Sequence, residues 1–139
     1  MAQTTFNGPV ISQNGFIAGH QVVAANAINT TATATAAQVV AGYITSTSVG
    51  TVSITLPTGT LLGAALGATK GTSLDLYIDN TAGASVVTVV VAVNGILSTA
   101  AADTPGSFGD LTIASGVTGL ARFTIMFSSA TAYVFTRTA

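Results

Sequence analysis

A run of valines in the second half of the chain constrains the fold most strongly. Residues 86–93 read VVTVVVAV, and Thr88 is the only polar residue in the run. β-Branched side chains favour extended strands, and a strand that is apolar on both faces must be covered on both sides. One face can enter the chain's own core. The other must meet a second layer, either a helix of the same chain or a neighbouring subunit.

Charge is the next constraint, because this chain has very little of it. Its 139 residues include 3 Lys+Arg, 4 Asp+Glu, one His and no Cys, and the net charge is −1. A nucleic-acid binder needs a clustered basic surface, and disulfides, thiolate zinc sites and thiol nucleophiles need cysteine. Enzymes gather several titratable groups in one cleft. We therefore expect a non-enzymatic protein with no cofactor and no nucleic-acid partner.

Alternating apolar residues predict short strands, which are typical of a β-rich domain. Residues 51–56 place Val52, Ile54 and Leu56 on one face, and residues 73–79 direct Asp75, Tyr77 and Asp79 away from their apolar face. The predicted strands span residues 39–47, 51–56, 73–79, 86–93, 110–114, 120–128 and 133–138. The pattern indicates a mainly all-β fold, an antiparallel β-sandwich or barrel.

Helical character is predicted at one place only. Residues 60–66 form a short apolar stretch with Thr60 as its N-cap and Gly67 near its end. Residues 21–38 are low in complexity and are interpreted as an irregular segment leading into the first strand. The helix is the candidate within the chain for covering the second face of the valine strand.

The first 20 residues read as an extended arm, followed by a single β-rich domain over residues 21–139. Two Asn-Gly pairs mark turns in the arm, and Pro9 discourages a helix. The arm is too short to bury its own apolar side chains, so we expect it to dock on a partner. The candidate contact residues are Phe6, Pro9, Val10, Ile11, Phe16 and Ile17. No secretory signal or membrane partner is expected, because the chain has neither a signal pattern nor an apolar run of ~20 residues.

Low charge also favours self-association, because a small monomer usually stays soluble with more surface charge than this. A closed homo-oligomer would reduce the exposed apolar area of each chain. The candidate subunit interface is one face of the valine strand, formed by Val87, Val89, Val91 and Val93.

The few chemically distinctive side chains each allow two interpretations. Asp75 and Asp79 are oxygen ligands that could hold Ca²⁺, or they solvate an outer face and cap a turn. The three tyrosines at positions 43, 77 and 133 could stack on sugars, or they pack in the core or an interface. His20 stands alone and is interpreted as a surface or packing residue. In each case we expect the structural role, and no metal.

A series of short motifs resembles a widespread group of small structural proteins of tailed bacteriophages. The motifs are TLPT at 55–58, GTSL at 71–74, IDNTAG at 78–83, RFTIMF at 122–127 and ATAYV at 130–134. The resemblance covers about residues 50–139. It implies a β-rich homotrimer on the virion, either a capsid decoration (cement) protein or a module of a head or tail fibre. The arm, beginning FNGP at 6–9, is similar to capsid-binding extensions of decoration proteins.

The resemblance implies two partners, further copies of the chain and the major capsid protein. It places the protein on the outer surface of the capsid, after assembly in the host cytoplasm. The alternative is a receptor-binding or fibre module of a phage head or tail, which would bind a host polysaccharide or cell surface.

Overall fold

The computed structural model describes residues 26–97 and 111–139. These residues form nine strands, two α-helices and one 3-10 turn. In chain order they are β1 (Ala32–Thr33), α1 (Ala36–Val40), β2 (Tyr43–Thr45), β3 (Val52–Thr55), α2 (Gly59–Leu66), β4 (Ser73–Asp79), β5 (Val87–Val90), β6 (Gly95–Leu97), β7 (Thr112–Ile113), the 3-10 turn (Gly116–Thr118), β8 (Leu120–Ser129) and β9 (Ala132–Arg137). The predicted arm and its contact residues Phe6, Pro9, Val10, Ile11, Phe16 and Ile17 lie outside the described residues.

The strands form two sheets, which confirms the mainly-β class. One sheet has four strands in the order β1-β3-β5-β7, and the other has five in the order β2-β4-β8-β9-β6. Among the described strands, β4–β8, β8–β9 and β5–β7 pair antiparallel. The pairs β1–β3, β2–β4, β3–β5 and β6–β9 are parallel. The sheets are therefore mixed rather than antiparallel throughout.

Three of the four parallel pairs, β1–β3, β2–β4 and β3–β5, follow from the path of the chain. From β1 to β5, successive strands alternate between the two sheets, so neighbours within a sheet are separated by one strand of the other sheet. Such neighbours run in the same direction, whereas hairpin neighbours must be antiparallel. α1 lies between β1 and β2, and α2 lies between β3 and β4, so both helices occupy connections that cross from one sheet to the other.

Both sheets contribute side chains to one hydrophobic core. The inward faces predicted for β3 and β4 are confirmed, because Val52, Ile54, Leu56, Leu74, Leu76 and Ile78 are all buried. Phe123 stacks on Phe135 with ring centres 4.8 Å apart, and Phe127 contacts Tyr133 at 5.8 Å. These four aromatic side chains lie on β8 and β9 and are among the largest fully buried groups.

Two helices form where one was predicted. α2 begins one residue earlier than predicted, because the hydroxyl of Thr58 accepts a hydrogen bond from the Leu61 amide at 3.3 Å and makes Thr58 the N-cap. Gly67 ends α2 in a left-handed conformation with φ 60°. The unpredicted helix is α1, where Thr35 and Gln38 form a reciprocal capping box. The prediction of irregular chain up to residue 38 and strand from residue 39 is therefore wrong at this point.

α2 packs unusually close to the turn between β8 and β9. A Cβ atom at Gly63 would lie 2.0 Å from the Ala130 carbonyl oxygen, and one at Gly59 would lie 2.2 Å from the Thr131 carbonyl oxygen. Both distances are far below van der Waals contact, so glycine is required at these two positions. The close approach attaches α2 to the end of the five-stranded sheet.

Candidate functional site

The outward face of the five-stranded sheet carries most of the charge in the described residues. These residues include five charged side chains, of Lys70, Asp75, Asp79, Arg122 and Arg137. Three of the five lie on this one face together with two tyrosines. We call this set the Tyr–Asp–Arg face: Tyr43, Asp75, Tyr77, Asp79 and Arg122.

Strand alternation and register create this face. On β4, Leu74, Leu76 and Ile78 are buried, so the residues between them point outward. Tyr43 on β2 pairs with Tyr77 on β4, and Arg122 on β8 pairs with Tyr77 from the other side. Adjacent strands lie about 4.8 Å apart, so the two tyrosines and the arginine form one row across three strands.

Arg122 is fixed within this row by contacts to two neighbours. Its Nη2 donates to Asp75 Oδ2 at 2.6 Å, and its guanidinium carbon lies 5.9 Å from the centre of the Tyr77 ring. The hydrogen bond to Asp75 and the nearby negative charge raise the pKa of Arg122 above its usual range. The Thr124 hydroxyl donates to the other Asp75 oxygen at 2.8 Å. Asp75 therefore bridges β4 and β8 on the outer surface.

Asp79 is the last residue of β4, and its carboxylate accepts hydrogen bonds from two hydroxyl groups and one backbone amide. The Tyr43 hydroxyl donates to Asp79 Oδ2 at 2.5 Å, and the hydroxyl and amide of Thr81 donate to Oδ1 at 2.6 and 2.9 Å. The Thr81 hydroxyl, followed by the Tyr43 hydroxyl, lowers the pKa of Asp79. The same bond to Asp79 raises the pKa of Tyr43. At neutral pH the pair is a carboxylate and a neutral phenol.

The two carboxylates are well separated along β4. Asp75 and Asp79 are four residues apart on one strand, which separates their Cα atoms by about 13 Å. No group of three or more His, Cys, Asp or Glu side chains that could hold a metal occurs within residues 26–97 and 111–139. Their hydrogen bonds to neighbouring side chains are those of residues that solvate and order an outer face.

The third tyrosine has a different environment. Tyr133 is fully buried, and its hydroxyl donates to the Pro57 carbonyl oxygen at 3.0 Å. Burial raises the pKa of Tyr133 to about 12. Of the three tyrosines, Tyr43 and Tyr77 are the two on the outward face.

The structure divides the four valines predicted to form a subunit interface. Val87 and Val89 are 1% and 0% exposed, so they pack inside the chain's own core. Val91 is partly buried against that core, whereas Val93 is 72% exposed. Only the end of the predicted strip therefore has surface to offer a second subunit. The opposite face of β5 carries Thr88 and the partly exposed Val90.

Sequence reasoning included Asn80 only within the motif at residues 78–83 and missed its central role. Asn80 is 0% exposed, and its Nδ2 donates to the carbonyl oxygens of Ser85 at 2.8 Å, Ala114 at 3.0 Å and Ile113 at 3.3 Å. Its backbone amide donates to Gly119 at 2.7 Å. Asn80 thus joins the end of β4, in one sheet, to segments flanking β5 and β7, in the other.

No helix in the described residues is long and apolar enough to cross a membrane. Comparisons with protein-family models, with curated proteins and with solved structures found no match to this chain. The features that bear on function are the motifs of the sequence, the Tyr–Asp–Arg face and the exposed Val93.

Proposed function

We propose that this chain is a non-enzymatic structural protein of a tailed-phage virion. In its most specific form, the proposal is a homotrimeric capsid decoration (cement) protein that binds the outer surface of the head through its N-terminal arm. The motif resemblance over residues 50–139 supports the phage assignment. The structural support comes from the surface of the described domain.

The observation that carries the proposal is a surface rich in apolar side chains and poor in charge. Seven large apolar residues are 39% exposed or more, against five charged residues in the same part of the chain. They are Val49, Leu61, Val90, Val93, Val117, Leu120 and Met126. Exposed apolar surface of this kind is typical of association sites. A protein whose role is to bind copies of itself and a shell needs such a surface and needs no catalytic cluster.

Val93 and α2 offer the most continuous candidate for the subunit contact. The Gly59 amide at the start of α2 donates to the Val93 carbonyl oxygen at 3.1 Å, which places Val93 beside the helix. Leu61, 60% exposed, follows on α2 with the exposed Ala64 and Ala65. None of these side chains is charged, so a subunit contact here would bury apolar area without desolvating an ion.

A trimer with three arms suits attachment to a shell. Once one arm binds, the other two bind at a raised effective concentration, which strengthens attachment by orders of magnitude. An extended arm can add a strand to an exposed sheet edge, where main-chain hydrogen bonds supply affinity. Binding only to the assembled shell stabilises that shell by mass action.

The finer architecture is part of the same proposal. We infer that the two sheets pack face to face as a β-sandwich. Support comes from their separate strand orders and from the single buried cluster to which both contribute. The two helices would then cover the ends of the sandwich, where the chain crosses between sheets.

Native mass and shell binding test the proposal. Light scattering on a sizing column is expected to give a trimer, both for the full chain and for a variant lacking residues 1–19. Only the full chain is expected to co-sediment with assembled shells of the major capsid protein. A monomeric full chain would contradict the trimer, and undiminished shell binding by the shortened chain would contradict the role of the arm.

A receptor-binding or fibre module is the second candidate, and the Tyr–Asp–Arg face favours it. Such a module would lie on a fibre or tail rather than over the shell. Antibody labelling of virions in the electron microscope separates the two. Label spread over the head supports decoration, and label confined to fibres or tail supports the alternative.

A further inference from the structure

The Tyr–Asp–Arg face combines flat rings with hydrogen-bonding groups in an ordered array. Tyr43, Tyr77 and Arg122 form the central row across β2, β4 and β8. Asp79 lies in the next row on one side of this central row. Asp75 and Thr124, which pair with each other, lie in the next row on the other side. Polar groups therefore flank the aromatic row on both sides, and on the β8 side of Asp79 the same outward surface carries the exposed Leu120.

From this arrangement we propose that the Tyr–Asp–Arg face binds neutral sugar units of a glycan. A pyranose ring has an apolar face of C–H groups and an edge of hydroxyl groups. Tyr43 and Tyr77 are each partly exposed, and the Arg122 guanidinium lies over the Tyr77 ring. The C–H groups would contact the exposed part of each ring, while the carboxylates accept hydrogen bonds from hydroxyls on either side. One nitrogen of Arg122 donates to Asp75. Because a guanidinium has five N–H donors, Arg122 retains donors for sugar oxygens.

The charge of the face selects the kind of glycan. Two carboxylates and one guanidinium give a local charge of −1, which disfavours acidic sugars and polyphosphates. The Tyr43 and Thr81 hydroxyls hold Asp79 ionised, so it remains an acceptor down to acidic pH. A neutral hexose or N-acetylhexosamine polymer fits both the rings and the charge.

A sugar fits this face better than a second copy of the chain does. A protein interface here would have to remove Asp75, Asp79 and Arg122 from water, and desolvation of such groups can exceed the attraction gained. A glycan leaves the rim hydrated and exchanges water for hydroxyl groups of similar polarity. The inference does not depend on the capsid decoration role, and it gives a ligand class to the receptor-binding alternative.

Saturation-transfer NMR on the full chain tests the inference. The neutral probes are maltohexaose, cellohexaose, chitohexaose and a mannohexaose, with oligogalacturonate as the acidic probe. At about 10 mM, a ligand with a Kd of about 1 mM is near saturation. We expect ring-proton signals with at least one neutral probe and binding at least tenfold weaker with oligogalacturonate.

Variants localise the signal. Tyr77→Ala is expected to weaken binding at least tenfold, whereas Tyr77→Phe keeps the ring and binds within about twofold of the parent. Met126→Ala is the matched control, because Met126 is 51% exposed on the same sheet but outside the central row. If Tyr77→Ala does not fold, as judged by thermal unfolding, Arg122→Gln replaces it and is expected to weaken binding at least threefold.

Three results would overturn the inference. The first is no signal from any neutral probe. The second is equal loss of binding in Met126→Ala and in the central-row variant. The third is a change of native mass in Tyr77→Ala or Arg122→Gln, which would make this face a subunit contact. Shell co-sedimentation by the same variants is expected to be unchanged, so failure of sugar binding and failure of the decoration proposal give different results.

Discussion

Replacement of Asn80 by alanine is predicted to destabilise the domain strongly, because one amide group connects the two sheets. Nδ2 has two hydrogens and faces three carbonyl oxygens, with the shorter contacts to Ser85 at 2.8 Å and Ala114 at 3.0 Å. Removal of the amide deprives two partly buried acceptors of a donor. At ~1–3 kcal/mol for each such loss, the cost is about 2–6 kcal/mol.

Part of that cost is offset by the other half of the amide. Asn80 Oδ1 is buried and accepts no hydrogen bond within the described residues, so its removal restores about 1–3 kcal/mol. The net loss is therefore about 1–3 kcal/mol, and we expect a value near 2 kcal/mol. With a urea m-value of about 2 kcal/mol per molar, the unfolding midpoint should fall by about 1 M.

Urea unfolding at fixed protein concentration measures this shift, with two comparison variants. Ser46→Ala is the matched control, since Ser46 is 1% exposed and its hydroxyl has no partner within the described residues. Its midpoint should stay within about 0.3 M of the parent or rise. Asn80→Asp keeps the shape but places an acceptor against carbonyl oxygens, so it should be less stable than Asn80→Ala at pH 7. Equal midpoints for Asn80→Ala and Ser46→Ala would refute the reasoning.

Three further variants test other parts of the structure. Gly63→Ala should lower the free energy of unfolding, measured in urea, by about 1–3 kcal/mol, because its Cβ would lie 2.0 Å from the Ala130 carbonyl oxygen. The control Thr60→Ala, on the exposed side of the same helix, should leave the free energy of unfolding unchanged. Equal losses in the two variants would contradict the close packing of α2. Asp79 has a lowered pKa, so its stabilising contribution is present above pH ~4 and is lost as the pH falls through its folded pKa. Asp79→Asn should therefore reduce the fall in Tm between pH 7 and pH 3, and an unchanged profile would argue against this pairing. The pKa of Tyr133 is raised to about 12, so its contribution to folding stability is complete below pH ~10 and is lost as the pH rises towards 12. Tyr133→Phe should therefore lose less Tm than the parent between pH ~10 and pH ~12. An equal loss of Tm in the variant and the parent would contradict a buried, protonated phenol.

The strands that could be predicted from sequence are those with a clear alternation of apolar and polar side chains. β4 has the predicted bounds, and Val52, Ile54 and Leu56 lie on the predicted face of the core. α1 was missed because its five residues give no helical period, although its capping box from Thr35 to Gln38 is visible in the sequence. A short helix of this kind is stabilised by its cap and by tertiary packing, which a search for periodicity does not detect.

The topology and the candidate site could not be predicted in the same way. Alternation shows which side chains face inward, but it does not show which of two sheets a strand joins. β2 and β4 are neighbours only because β3 lies in the other sheet. The row of Tyr43, Tyr77 and Arg122 depends on that topology and on strand register. The outward direction of Tyr77 could be read from the sequence, whereas its two neighbours could not.

The distribution of charged side chains connects the two proposals, and the exposed Leu120 and Met126 share the outer face of the five-stranded sheet with them. On the described domain, the ion pair and both ordered carboxylates lie on the outer face of the five-stranded sheet. The uncharged α2 and Val93 lie at the end of the fold. Burial of an apolar surface contributes favourably in proportion to its area, whereas burial of ordered ions carries a desolvation cost. Self-association is therefore favoured at the end around α2, and the Tyr–Asp–Arg face remains in water, where a hydroxyl-rich ligand can bind without competing with assembly.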